Sequence, residues 1–90
     1  MSADIMLICK DKGEEYNGKN NSKCLYIGDT AYLEDYVILL QHHASGTVDT
    51  EMIDRIDAIM KLYKIEKFEY EEILQWLIKH RGEYISSEAW

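Results

Sequence analysis

From Tyr32 onward the apolar residues recur every three or four positions, and this recurrence constrains the fold more than any other feature of the chain. Tyr32, Leu33, Tyr36, Val37, Leu40 and Ala44 form one series, and Met52, Ile53, Ile56, Ile59, Met60 and Tyr63 form a second. Residues three and four apart share a face of an α-helix, so each series predicts an amphipathic helix. Ile38 and Leu39 widen the apolar arc of the first, which reads as a central helix. A third segment, YEEILQWLIKHR, carries Ile73, Leu74, Trp76, Leu77 and Ile78 around much of its circumference. The chain has no proline to interrupt any of the three.

Capping chemistry sets their bounds. Asp29 or Thr30 can cap the first helix, near 30–45, and Gly46 ends it after His42 and His43, which suit the negative end of the helix dipole. Asp49 or Thr50 can cap the second, near 50–64. The third, near 70–81, has Glu69 in the cap position, Glu72 in the capping-box position, and Phe68 and Ile73 placed as a hydrophobic staple. Lys79, His80 and Arg81 complement its end, and Gly82 stops it.

The first part of the chain has a different grammar. Residues 5–9 (IMLIC) and 23–27 (KCLYI) are short apolar runs, too short for helices and suited to strands. Between them Asn17-Gly18 signals a two-residue type I′ turn. Regular pairing through that turn sets Cys9 opposite Tyr26 and Asp11 opposite Cys24. The two cysteines are then diagonal neighbours, too far apart for a disulfide. Ninety residues support one core. The expected fold is a single α+β domain over 1–90: an N-terminal β-hairpin packed against three helices, with EYISSEAW as a short polar tail.

Charge narrows the function classes. Seventeen acids against ten bases give −7, distributed as −3 over residues 1–45 and −4 over 46–90. Neither half is basic, so the clustered cations that bind a phosphate backbone are missing. A winged helix-turn-helix reading fails on the same ground, since the second and third helices both open with acids. MSADIMLICK has neither the basic start nor the apolar length of an export signal or membrane span. With two cysteines and no export signal, a cytoplasmic protein with both thiols reduced is expected.

Patterns for catalysis and cofactors are weak. No GxxxxGK[ST] or GxSxG pattern occurs. Cys9, Cys24, His42, His43 and His80 lack the paired spacing of zinc ligands. The acidic stretch DTEMIDRID, residues 49–57, lacks the glycine and spacing of a calcium loop. Helix chemistry accounts for its acids: capping at the start, then Glu51 with Arg55 and Asp57 with Lys61 at four-residue spacing. Unlike Glu51 and Asp57, Asp54 has no such cation four residues on. No cofactor, metal or enzymatic activity is therefore expected.

The remaining class is binding to protein. Glu51, Asp54 and Asp57 on the second helix, with Glu69, Glu71 and Glu72 at the start of the third, form a candidate acidic recognition surface. Tyr16 at the hairpin tip is a candidate contact residue, and Tyr70 and Tyr84 also lie beside acids. The expected partner is a basic protein, such as a nuclease or another nucleic-acid-binding protein, and not nucleic acid or membrane. In size and charge, though not in any motif, the chain is comparable with small phage-encoded inhibitors and bacterial immunity proteins. The alternatives are an accessory domain that forms homo-oligomers through its apolar helix faces, and a small enzyme or metal-binding protein.

Overall fold

A computed structural model describes residues 6–9, 23–27 and 33–89. In chain order these form β1 (Met6–Cys9), β2 (Cys24–Ile27), α1 (Glu34–His43), β3 (Gly46–Thr47), α2 (Thr50–Leu62), α3 (Lys67–Lys79) and β4 (Tyr84–Ala89). The strands make one antiparallel sheet in the order β2-β1-β4-β3. The fold is α+β, as the two periodicities imply.

The core lies between the helices and one face of the sheet. Tyr36, Val37 and Leu40 of α1, Met52, Ile56, Ile59 and Met60 of α2, and Ile73, Trp76 and Leu77 of α3 are buried together with Ile8, Leu25, Ile27 and Ile85 from the strands. Successive strand residues alternate in direction, so Cys9 and Cys24, each next to a core residue, lie on the opposite face. Ile38 and Ile78 do not join the core; they stand 63 % and 57 % exposed. The apolar arcs of α1 and α3 are thus wider in the sequence than the faces they bury.

Residues 84–89 are a correction to the expected tail. They form β4 and sit inside the sheet, paired with β1 on one side and β3 on the other. Polar Ser87 is accommodated because its hydroxyl donates to the carbonyl of Gln41, 2.9 Å away, in the last turn of α1. Such carbonyls lack a partner within the helix. Ser45 adds a hydroxyl contact to Ser87 at 3.2 Å.

Strand register is a second correction. Cys9 pairs directly with Cys24 and Leu7 with Tyr26, two residues away from the expected alignment. A two-residue slip leaves every side chain on its original face, so hydrophobic alternation does not distinguish the two registers. The Asn17-Gly18 turn lies outside the described residues, as do Asp29 and Thr30.

Helix ends depart from the sequence reading in an informative way. α1 begins at Glu34, after Leu33, with no side-chain cap, and ends at His43 rather than near 45. Gly46, at φ +117°, belongs to β3. α2 starts where expected, with Asp49 as its cap, and ends at Leu62. The backbone N–H groups of Lys64 and Ile65 close its last turn by reaching back to the carbonyls of Lys61 and Met60. This is a Schellman closure, and Lys64 occupies its left-handed position at φ +54°, where glycine is usual. α3 begins at Lys67, not Tyr70, so Phe68 lies within the helix and is 68 % exposed instead of stapling Ile73.

Candidate functional site: the acidic surface of α2 and α3

The stretch DTEMIDRID is the cap of α2 and about its first two turns. Asp49 accepts the backbone N–H of Met52 at 2.8 Å, which satisfies one of the donors left over at a helix start. Glu51 and Arg55 form an ion pair on the exposed surface. Asp57 is more engaged: it accepts the hydroxyl of Tyr70 from α3 and pairs with Lys61 at 3.1 Å. The Tyr70 hydroxyl, and then the Lys61 ammonium, hold the Asp57 carboxyl below the ordinary carboxylate range against some opposing desolvation. Reciprocally, the carboxylate raises both Tyr70 and Lys61.

Asp54 differs from its neighbours. It is exposed, and its carboxylate has no hydrogen bond or ion pair among the described residues. On α3, Glu71 is exposed and Glu72 half-buried. Glu69 corrects the expected surface: it is 9 % exposed, because α3 starts three residues early and carries position 69 onto its inner side. Tyr16 lies outside the described residues. Tyr70 is half-buried and bound to Asp57, whereas Tyr84 is 53 % exposed. The surface that remains is smaller than the acid count suggests, with Asp54 and Glu71 its most available members.

Two hollows flank this surface. One, of about 310 Å³, lies where the end of α1 meets the start of α2 and is lined by His42, His43, Asp49, Glu51 and Arg55 among others. The two histidine rings meet nearly edge to face, with centroids 4.9 Å apart. The other, of about 360 Å³, sits at the α2–α3 turn, where Lys61, Lys64 and Lys67 surround Met60, Ile65 and Tyr70. The three lysines come from the end of α2, the turn after it and the start of α3. The spacing KxxKxxK was visible in the sequence, but its gathering at one hollow depends on the turn that separates the helices.

His80 stands at the end of α3, as its C-cap, and is buried there. Its Nδ1 lies 2.8 Å from Glu83, and its ring packs on Trp76 with centroids 4.3 Å apart. Among the described residues no three His, Cys, Asp or Glu side chains converge as a metal site. No described helix is long and apolar enough to cross a membrane. Compared with known proteins, the chain matches no family model, no curated protein and no solved structure.

Proposed function

We propose that this chain is a non-enzymatic binding module that docks stoichiometrically on a basic protein, in the manner of a small phage or bacterial inhibitor. The observation that carries this reading is the isolation of Asp54. Its neighbours on α2 are occupied by capping, an ion pair or a link to α3, whereas Asp54 faces solvent with no local partner. An unpaired surface acid in a chain of net charge −7 attracts cations, and nucleases and other nucleic-acid-binding proteins present them in clusters. A cytoplasmic setting accompanies this reading. The experiment is capture from the native host with immobilised wild type and Asp54→Lys, at low and high salt. A basic protein held one-to-one by wild type, and released both by salt and by the substitution, supports the proposal. Retention that neither salt nor the substitution disturbs refutes it.

A second reading has its own observation. Ile38, Leu62, Phe68, Ile78 and Tyr84 are each more than half exposed. Such residues suit self-association, which is insensitive to salt. Sedimentation across a concentration series separates the two readings.

A further inference from the structure

We propose that Cys9 and Cys24 form an oxidisable dithiol that closes to a disulfide across the β1–β2 pair. The inference rests on position alone and is independent of the partner. The two residues face each other directly in the antiparallel register. Their sulfur atoms are 2.8 Å apart, well inside ordinary non-bonded sulfur contact. A disulfide needs an S–S distance of about 2.0 Å, so closure requires an approach of only about 0.8 Å. Directly opposed strand residues already hold their Cβ atoms about 4.5–5.5 Å apart, close to disulfide geometry.

The two thiols are buried, 5 % exposed at Cys9 and 0 % at Cys24, as the side chains of a small cluster separate from the main core. A buried thiol reacts when its surroundings open. β2 is the edge of the described sheet and is held along the sheet by a single four-residue ladder, so it is the strand whose local release exposes the pair. A small-molecule disulfide is the oxidant. The more accessible Cys9 thiolate attacks one of its sulfurs, which breaks the S–S bond, expels one thiolate and leaves a mixed disulfide on Cys9. The Cys24 thiolate then attacks the Cys9 sulfur and expels the second small thiolate. Two electrons pass from the dithiol to the small disulfide. The protons lost by the two cysteines are taken up by the two thiolates released. The product ties the edge strand covalently to its neighbour, and an excess of small thiol reverses the exchange.

The test uses the wild-type chain equilibrated in glutathione buffers of graded redox ratio, with and without denaturing urea. Intact mass and alkylation of remaining thiols after acid quench are the readouts. The expected product is a monomer that has lost two hydrogens, with a peptide cross-link between residues 9 and 24, restored by dithiothreitol. The ratio of disulfide to dithiol at a given buffer should be greater in the folded chain than in urea by roughly tenfold or more, because the fold holds the thiols in contact. Equal ratios in the two conditions overturn the proposal. So does a persistent glutathione adduct or a disulfide-linked dimer in place of the internal bond. A Cys24→Ser chain should accumulate the mixed disulfide on Cys9 that wild type resolves; wild type accumulating as much adduct as that variant also overturns it.

Discussion

Tyr70 donates its phenolic hydrogen to the Asp57 carboxylate, which Lys61 also approaches, so one acid joins α2 to α3. Asp57 therefore has an architectural role in the helix pair. Its carboxyl is held below the ordinary value of 3.8, chiefly by the Tyr70 hydroxyl. A depressed acid contributes stability above its unfolded pKa and loses it as pH falls through the folded value. Tyr70→Phe should raise the Asp57 titration midpoint toward 3.8 and lower stability at neutral pH more than at about pH 2. Carboxyl NMR titration and urea unfolding at the two pH values check this. At the alkaline end, Tyr70 and Lys61 are raised above 10.0 and 10.5, so their share is lost only as pH climbs past those values.

Leu40 and Ile56 are both fully buried. Truncation of either to alanine should cost roughly 2–5 kcal/mol, comparable with the whole stability of a small domain. Ile38→Ala, on the exposed side of α1, should fall within about 0.5 kcal/mol of wild type. Chemical denaturation of the three variants tests the helix orientations directly.

Asp49 and Asp54 make a matched pair for separating folding from recognition. Asp49→Ala removes the acceptor of the Met52 N–H and should cost about 1 kcal/mol, whereas Asp49→Asn should retain most of the cap. Asp54→Ala removes no contact and should leave unfolding unchanged within about 0.5 kcal/mol. The same denaturation measurement resolves both.

Lys64 holds a left-handed backbone at φ +54°. Relief of its side-chain clash, offset by the greater freedom of glycine in the unfolded chain, should make Lys64→Gly more stable by about 0.5–1 kcal/mol. Gly82, at φ +89°, predicts the reverse: Gly82→Ala should cost about 1–2 kcal/mol even though nothing crowds its side-chain position. Thermal melts of both variants provide the comparison.

For a basic partner, Asp54→Lys should slow association, and the difference from wild type should shrink at high salt. Stopped-flow rates at two ionic strengths measure it. Equal rates at both would reduce the acids of α2 to helix chemistry.

The helices were legible because each buries a stripe with a 3.6-residue period, and α2 was the clearest because Asp49 supplies a real side-chain cap. α1 and α3 have no such cap, and their starts shifted accordingly. β4 was hidden by Ser86, Ser87 and Glu88, whose polarity hides a strand that is paired on both sides and bonded to α1 through Ser87. The acids of α2 and α3 could be counted in the sequence, but not sorted. Whether Asp57 is occupied by Tyr70, or Glu69 turned inward, depends on how two helices meet.

β4 lies between β1 and β3, and its Ala89 pairs with Met6, 83 positions earlier in the chain. At roughly 5–20 residues per second, a ribosome finishes β4 several seconds after it releases β1. During that delay the flank of β1 that β4 will cover has unpaired backbone donors and acceptors, a template for any passing strand. The newborn chain is therefore vulnerable to mispairing at β1, and slower translation of the helical middle would lengthen that exposure.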